Sequence, residues 1–255
     1  MITVSTKGTL PEFLSLERIT NRLKLEQDAQ IIFDRNPNIV AKIESNDDTV
    51  VVKLFGWRNL AHYYLYPFIQ SRAQVSWAIA HALLKASART PKPLYVHTKR
   101  KFGFIVSNVY ITECISPNIT LRSFLKTDFP LNDGKQIVGD LAINIARMHE
   151  HGIFHRDLTT GNILINEENQ TYLIDLNRAK IRNPTLRRRL KDLAKIYFGD
   201  SGTSHTIELR KTFFKIYMKE CGIDIHWEEK YFLYRARLSN YRHRRKRIKS
   251  FFRSK

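Results

Sequence analysis

Alternating apolar and polar positions predict a β-rich first half of the chain. Residues 31–55 contain the runs IIF, NIVAKIE and TVVVKLF, which are rich in β-branched residues and separated by turn-forming residues. A second strand pair is predicted at LYV and FIVSNVYITE, on either side of the basic turn at residues 99–101. Between these pairs, residues 71–87 predict a helix, because Ala73, Trp77, Ala80 and Leu84 recur at helical spacing.

The second half is predicted to be mainly helical. Helices are expected at 121–127, 134–150, 186–198 and 208–220, and short strands at 162–165 and 171–175. The second of these helices places Ile137, Leu141, Ile145 and Met148 on one face. This order of elements predicts an α+β chain of two lobes. The first lobe is β-rich and spans 1–115, and the second is mainly helical and spans 116–255.

Composition favours a folded protein of the cell interior. The 255 residues are 43% hydrophobic, enough to bury a sizeable core. There is no run of 18 apolar residues, and the start lacks the pattern of a secretory signal, so we expect neither a membrane span nor export. The two cysteines, Cys114 and Cys221, form no disulfide framework, which favours a reducing cytoplasm.

A formal net charge of +19 predicts that the protein meets polyanions. The tail from about residue 235, RARLSNYRHRRKRIKSFFRSK, carries ten Lys or Arg residues, no acid and a Phe pair. Basic clusters beside aromatic residues suit an anionic membrane surface. Nucleic-acid binding would use the same charges, but it is disfavoured because no nucleic-acid-binding motif accompanies them.

The stretch HRDLTTGNILINEENQTYLID holds the strongest chemical signal. Phosphoryl transfer requires positioned phosphates, a metal ion that offsets charge and a group that orients the attacking hydroxyl. Asp157 would accept or orient the hydroxyl proton, while Asn162 and Asp175 offer the oxygen ligands that Mg²⁺ prefers. His155 is interpreted as a brace for the loop, and a metal cluster of His149, His151 and His155 is disfavoured.

A phosphate-binding lysine is predicted on a strand that precedes the first long helix. Lys53 in TVVVKLF fits this position, and Lys42 in IVAKIE is the rival. Lys53 is preferred because it is the lysine that directly precedes the helix.

These motifs resemble the lipopolysaccharide kinase group of the protein-kinase-like superfamily, which includes Kdo, heptose and InaA-like kinases. The resemblance rests on VVKLFGWRN, SRAQVSWAIAHALL followed by TPKPL, HRDLTTGNILI and LIDLNRAK, and it covers roughly residues 30–200. It implies a two-lobed kinase fold and ATP and Mg²⁺ as cofactors. It also implies transfer to a sugar hydroxyl of the lipopolysaccharide inner core at the cytoplasmic membrane face.

By this resemblance, Asp157 is the catalytic base, Asn162 and Asp175 hold the metal, and Lys53 contacts phosphate. Adenine would meet the backbone between Glu113 and Ile115. The alternatives are a kinase of proteins or of another small molecule, and a non-catalytic adaptor that binds acidic surfaces. The sequence leaves the acceptor hydroxyl and the oligomeric state open.

Two departures from the usual kinase pattern favour slow catalysis and leave a pseudokinase as an alternative, against which the intact Asp157, Asn162 and Asp175 argue. No Asp or Glu occurs between Trp57 and Thr112, so Lys53 lacks a helix carboxylate, and Gln74 is either a neutral substitute or a surface residue. The predicted phosphate-covering turn at residues 34–38 contains no glycine.

Beyond Asp175 the chain has no Ala-Pro-Glu sequence, which disfavours a phosphorylation-switched protein kinase. The basic residues that follow would suit a phosphorylated acceptor or form a solvated helix surface: Arg178, Lys180, Arg182, Arg187, Arg188 and Arg189.

Overall fold

The computed structural model describes residues 1–35, 37–45, 48–56, 70–198, 204–223, 226 and 229–237. The chain divides into two compact units. The first contains Met1–Asn118 together with Tyr172–Ala179, and the second contains Ile119–Thr171 and the described residues from Lys180 onward. The segment Tyr172–Ala179 therefore belongs with the residues that precede it by more than fifty positions, rather than with its neighbours in the chain.

The first unit is built on a six-stranded antiparallel sheet with the strand order β1-β5-β6-β4-β3-β2. Its strands are β1 Ile2–Gly8, β2 Gln30–Arg35, β3 Asn38–Glu44, β4 Thr49–Leu54, β5 Pro93–Lys101 and β6 Phe104–Glu113. The strands predicted within 31–55 and on either side of residues 99–101 are all present. The turn predicted at residues 99–101 lies instead at Phe102 and Gly103, because the three basic residues pair with β6 as the end of β5. The opening residues, whose structure could not be predicted, supply the edge strand β1.

Period-two alternation explains how the sheet buries one face. On β3 the side chains of Ile39, Ala41 and Ile43 are fully buried, and Val50 and Val52 on β4 join the same core. Two short helices, α1 Leu16–Thr20 and α2 Arg22–Asp28, contribute further buried side chains to this core. Each helix begins at a side-chain cap, Ser15 for α1 and Asn21 for α2.

Helix α3 spans Arg72–Lys85 and begins with a capping box, in which Ser71 and Gln74 exchange side-chain and backbone hydrogen bonds. The predicted helix is confirmed, and Ala73 and Ala80 of its predicted apolar positions are buried, as is the adjacent Leu83. Leu84 is 40% exposed, whereas Ser76, which was not among the predicted positions, is buried. The polar Ser76 is tolerated inside because its hydroxyl donates to the Arg72 carbonyl, 2.9 Å away.

The remaining elements follow in the chain. They are β7 Asn118–Thr120, α4 Leu121–Phe124, α5 Leu131–Glu150, β8 Ile153–Phe154, β9 Ile163–Asn166, β10 Thr171–Leu173, β11 Lys180–Ile181, α6 Leu186–Leu193 and α7 Ser204–Glu220. Residues 229–237 are also helical. Helix α6 is shorter than the helix predicted for residues 186–198, because backbone turns replace the regular helix from Ala194.

Helix α5 forms the centre of the second unit. The face predicted from the sequence is confirmed, since Ile137, Leu141, Ile145 and Met148 are all buried. At Gly139 a Cβ atom would lie 3.1 Å from the Ile216 Cδ1 atom of α7, so the absence of a side chain lets the two helices approach closely. Three aromatic rings of α7 are also fully buried: Phe213, Phe214 and Tyr217.

Among the described residues, no helix is both long enough and apolar enough to cross a bilayer.

Candidate functional site

In the second unit, the loop that follows β8 carries Asp157. The preceding His155 is fully buried, and its Nδ1 atom accepts a hydrogen bond from the Asp157 N–H at 3.3 Å. The Asp157 carbonyl accepts from the Asn162 side-chain amide at 2.8 Å and from the Thr159 N–H at 2.8 Å. The predicted base and one predicted metal ligand are therefore held on one tightly bonded loop, and His155 braces it as predicted.

Arg156 occupies a left-handed backbone conformation with φ of 62°, which is uncommon for a residue with a side chain. Its N–H donates to the Asp192 carboxylate of α6 at 2.8 Å. Asp192 is 2% exposed and also accepts from the Lys195 ammonium at 3.2 Å. Helix α6 thus fixes the peptide immediately before Asp157. The sequence analysis missed this residue, because nothing in the local pattern KDLAK marks Asp192 as buried.

Asp192 is ionised at neutral pH, whereas the neighbouring His149 is uncharged. Burial lowers the pKa of His149, so its ring is neutral, and its Nδ1 atom lies 2.8 Å from the Tyr217 hydroxyl. Burial alone would raise the pKa of Asp192, but His149 and the Lys195 charge outweigh it and lower the pKa to about 2. The His149 Nε2 atom is 3.6 Å from Asp192, too far for a hydrogen bond. The hydrogen bonds to the carboxylate therefore come from the Arg156 N–H and the Lys195 ammonium.

The three histidines near the loop have separate roles. His149 is buried against Tyr217 and Phe154, whereas His151 is exposed and bonds to the Arg147 carbonyl. No group of three or more His, Cys, Asp or Glu side chains suited to a metal ion occurs in the described part of the chain.

Arg122 is a second residue that the sequence analysis missed. Its guanidinium packs over Gly161, where a Cβ atom would lie 2.8 Å from the Arg122 Cζ atom. Gly161 directly precedes Asn162, so any larger residue there would displace either the cation or the loop. The spacing between Arg122 and Gly161 in the sequence gives no sign of this contact.

In the first unit, Lys53 and Asp175 form an ion pair. Lys53 projects from β4, and Asp175 lies in a left-handed conformation with φ of 63°. The same Asp175 oxygen accepts from the Asn177 side-chain amide. Lys53 was expected to lack a carboxylate partner, and this expectation was wrong. The partner lies far along the chain rather than on α3.

The segment that carries Asp175 is anchored within the first unit. The Leu173 N–H donates to the Arg89 carbonyl at 3.0 Å, and the Thr90 hydroxyl donates to the Leu173 carbonyl at 2.8 Å. Leu173 and Leu176 are buried. The variant sequence Asp175-Leu176-Asn177 is therefore a well-packed turn in which Leu176 supplies the apolar anchor and Asn177 orients the carboxylate.

The two residues considered as alternatives around Lys53 have other partners. Lys42 pairs with Glu44 at 2.5 Å on β3. Gln74 completes the cap of α3 by accepting from the Ser71 N–H, and its amide donates to Ser5. These contacts favour Lys53 as the phosphate-binding lysine and assign Gln74 to helix capping.

The predicted adenine-binding segment continues from the end of β6. The Glu113 N–H donates to the Lys92 carbonyl at 3.0 Å, and the Cys114 N–H donates to the Thr49 carbonyl at 3.1 Å. Glu113 also accepts from the Lys92 N–H through its side chain at 2.8 Å. The backbone before Ile115 is therefore anchored on both sides. Partial burial raises the pKa of the Cys114 thiol.

The predicted phosphate-covering turn lies only partly within the described residues. Asp34 pairs with Arg22 at 2.5 Å, and the Asn38 side-chain oxygen accepts from Arg72 at 3.0 Å. Asn36 lies outside the described residues, as do residues 238–255 of the basic tail.

The donor atoms at these positions suit the predicted cofactors. The Asp175 carboxylate and the Asn162 amide supply oxygen ligands, which magnesium prefers. The Asn162 nitrogen is turned toward the Asp157 carbonyl, which leaves the amide oxygen directed away from that bond. These residues fit Mg²⁺, and Lys53 adds a positive charge for phosphate.

A model of the family described as "Lipopolysaccharide kinase (Kdo/WaaP) family" matches residues 42–217. The chain belongs to this family. The match includes Lys53, the catalytic loop and Asp175, and it ends at Tyr217, the partner of His149.

Two relatives of the family are 3-deoxy-D-manno-octulosonic acid kinases from Vibrio. The one from Vibrio parahaemolyticus is 27% identical over 180 residues, which cover 70% of this chain and 66% of that protein. The one from Vibrio vulnificus strain CMCP6 is 25% identical over 126 residues, which cover 49% of this chain and 51% of that protein. The chain thus spans about half to two thirds of the length of these curated relatives.

A solved structure of WaaP in complex with acyl carrier protein is similar to the chain, with a TM-score of 0.58 and 20% identity. The similarity covers 90% of this chain and 99% of that one. It confirms the predicted α+β, protein-kinase-like fold.

Proposed function

We propose that the protein is an ATP-dependent kinase that phosphorylates a sugar hydroxyl of the lipopolysaccharide core. The observation that carries this proposal is the retention of a complete set of phosphotransferase side chains in a member of the Kdo/WaaP family. Asp157 and Asn162 are held on one bonded loop, and Lys53 and Asp175 form an ion pair. A chain without catalysis would have no need for all four.

In the proposed reaction, bound Mg²⁺·ATP would supply the transferable phosphoryl group and neutralise its developing charge. Asp157 would orient the acceptor hydroxyl and take up its proton, while the bonds at its backbone keep the carboxylate in place. Lys53 would exchange its contact with Asp175 for phosphate oxygens, so that the Asp175 carboxylate becomes available to the metal. Asn162 would offer its amide oxygen as a metal ligand.

The proposed acceptor is Kdo or heptose of the inner core. Kdo is supported by the relatives, which are named 3-deoxy-D-manno-octulosonic acid kinases. Heptose remains the alternative within the family. A protein acceptor or another small molecule is the alternative outside it.

The decisive experiment measures phosphate transfer from labelled ATP to Kdo–lipid A, with a heptose-containing core and a peptide panel as alternative acceptors. We expect labelled glycolipid with the wild-type chain and a loss of about 10²–10⁴-fold in rate with Asp157→Asn, the range for removing a general base. Asp128→Asn, an exposed carboxylate outside the loop, is the matched control and should retain the wild-type rate. Equal rates for wild type and Asp157→Asn would refute the assigned base, and labelling of peptides alone would refute the acceptor class.

We also propose a peripheral location at the inner face of the membrane. The turn between β5 and β6 supports it, because Phe102 is 69% exposed there and the flanking Lys99 and Lys101 are exposed as well. An aromatic side chain within a basic turn suits an anionic lipid surface. The basic tail predicted to act in the same way lies mostly outside the described residues.

A further inference from the structure

A pocket of about 800 Å³ lies wholly within the second unit, where it includes the start of the catalytic loop. Of its twelve lining residues, eight are Lys or Arg, and the only acid among them is Asp192. Outside residues 229–237, six of the lining cations have exposed side chains: Arg156, Lys180, Arg182, Arg187, Arg188 and Lys191. We call this site the basic pocket.

Three separate segments bring these cations together. Strand β11 pairs with β8 so that Lys180 lies opposite Phe154, and the Arg182 N–H donates to the Gly152 carbonyl at 2.8 Å. Arg187 and Lys191 are four residues apart on α6 and therefore share one face of that helix. Arg156 enters from the catalytic loop. The cations of the basic pocket therefore come from three parts of the chain that the fold brings together, and they are not merely the charged surface of one helix.

The positive charge of the basic pocket is not neutralised within the described part of the chain. None of the carboxylates described there lies within ion-pair distance of the six cations. Asp192 is already committed to the Arg156 N–H and to Lys195. By contrast, the neighbouring Arg189 turns inward and pairs with Glu150 at 2.9 Å. Like charges gathered around one cavity repel each other, and a bound anion would relieve this repulsion.

We propose that the basic pocket binds a phosphomonoester group. A phosphate dianion offers three oxygens and about two negative charges, which suit several guanidinium groups at once through bidentate hydrogen bonds. A carboxylate offers one charge and two oxygens and would engage fewer of the cations. The site is distinct from Lys53 and Asp175, which belong to the first unit.

The basic pocket also has a route to the catalytic residue. Arg156 contributes its side chain to the pocket and its backbone N–H to Asp192, and it directly precedes Asp157. A phosphate held by the Arg156 side chain restrains the peptide that carries the base. Arg156 therefore acts as a positioning residue, and this part of the inference rests on the proposed kinase function. The binding site itself does not.

A binding experiment tests the site without catalysis. The full chain is titrated by calorimetry at low salt with glucose 6-phosphate, with glucuronate as the carboxylate probe and glucose as the neutral one. The pocket variant is Arg182→Gln/Arg187→Gln/Lys191→Gln. The matched control is Lys211→Gln/Lys215→Gln/Lys219→Gln, which removes the same charge from exposed positions of α7 outside the basic pocket.

We expect the wild-type chain and the control to bind glucose 6-phosphate about tenfold more tightly than glucuronate, and the pocket variant to lose about tenfold in affinity. Equal losses in the two triple variants would overturn the site, because the binding would then reflect net charge alone. Equal affinities for glucose 6-phosphate and glucuronate would overturn the phosphomonoester class.

A kinetic experiment identifies the source of the phosphate and tests the coupling. If the phosphate belongs to the glycolipid acceptor, phosphatase treatment of the acceptor should raise its KM, and glucose 6-phosphate should compete with the untreated acceptor. If a free phosphorylated metabolite is the ligand, glucose 6-phosphate should increase kcat with the treated acceptor. Arg156→Gln should remove either response while leaving the KM for ATP unchanged.

A rate that responds to neither treatment would overturn the coupling. Absence of any transfer by the wild-type chain would refute the proposed kinase function but leave the calorimetric result standing. If the wild-type chain does not bind glucose 6-phosphate, the basic pocket is not a phosphomonoester site. The proposed kinase function would not be affected by that result.

Discussion

Lys53 and Asp175 are 122 positions apart in the chain, yet they form one ion pair within the first unit. Asp175 is therefore the carboxylate partner of Lys53 in the structure, and α3 carries none. The Asn177 side-chain amide in turn donates to Asp175. Each residue could be singled out from motif and spacing. Their pairing could not, because it depends on how the segment Tyr172–Ala179 packs.

Replacing Lys53 tests this assignment against its sequence rival. Lys53→Met should lower kcat/KM for ATP by about 10–100-fold, the effect of losing one charge-assisted bond to phosphate. Lys42→Met removes the same charge from the neighbouring strand and should change kcat/KM less than about twofold, since Lys42 is paired with Glu44. Initial rates over a range of ATP concentrations provide the measurement. Similar losses in both variants would contradict the choice of Lys53.

At the level of single residues, the sequence revealed the candidate catalytic residues but not the residues that hold them in place. Asp157 and Asn162 were identified because their spacing reflects one local loop, in which the Asn162 side chain bonds to the Asp157 carbonyl. Asp192 and Arg122 act through tertiary contacts to that loop, which leave no periodic or motif signal. Supporting residues of this kind become visible only when the elements that carry them are in place.

At the level of elements, helix α6 holds the catalytic loop through one buried carboxylate. Asp192 accepts the N–H of Arg156 and thereby stabilises a backbone conformation that residues with side chains seldom adopt. The short strands β8 and β11 flank the same loop. The structure of this region therefore depends on a charge as well as on packing.

The charge of Asp192 predicts acid sensitivity. The pKa of Asp192 is about 2 in the folded chain and about 3.9 in the unfolded chain. At a pH between these two values the unfolded chain binds the proton more readily, so protonation favours unfolding. The stabilisation is present above about pH 4 and is lost as the pH falls toward about 2, with a total of about 2 kcal/mol. Urea unfolding across this range should show it.

The Asp192→Asn variant should have a lower free energy of unfolding than wild type at neutral pH. The difference between the two should become smaller as the pH falls from about 4 to about 2. Asp128→Asn changes an exposed carboxylate and serves as the control. If the difference in free energy of unfolding between wild type and Asp192→Asn stays constant from neutral to acidic pH, Asp192 is not the source of the acid sensitivity.

The elements themselves were largely predictable because their periodicity is strong. The sheet strands from β2 to β6 and the buried face of α5 have the predicted pattern. Strand β1 was not predicted. All seven of its residues are exposed, so no alternation of buried and exposed positions marks it, and its pairing with β5 depends on backbone hydrogen bonds. On α3, Ala73, Ala80 and Leu83 are buried, Leu84 is exposed, and the bonded Ser76 takes a core position.

At the level of the whole molecule, the net charge of +19 exceeds what solubility requires. The described residues concentrate part of it in two places, the basic pocket of the second unit and the basic turn beside Phe102 in the first. Each cation near an anionic leaflet contributes roughly 1 kcal/mol, and the effect is screened by salt. The charge therefore predicts reversible attachment to lipid surfaces.

Vesicle co-sedimentation measures this attachment. The full chain should co-sediment with vesicles that contain phosphatidylglycerol and should dissociate from them at high salt. It should not bind vesicles of pure phosphatidylcholine. Phe102→Ser should weaken binding severalfold, since it removes the apolar group within the basic turn. Leu23→Ser is the matched control, because Leu23 is 67% exposed in the same unit but lies on α2. If both variants bind as tightly as wild type, the turn does not contact the membrane.

The partial burial of the two cysteines has a practical consequence for labelling chemistry. Cys114 at the end of β6 has a raised pKa, and burial raises the pKa of Cys221 to about 11. Both thiols stay protonated at neutral pH, and thiol reagents attack the deprotonated form. An exposed cysteine introduced elsewhere would therefore react first. A spectroscopic probe could be attached at one chosen position while both native cysteines are retained.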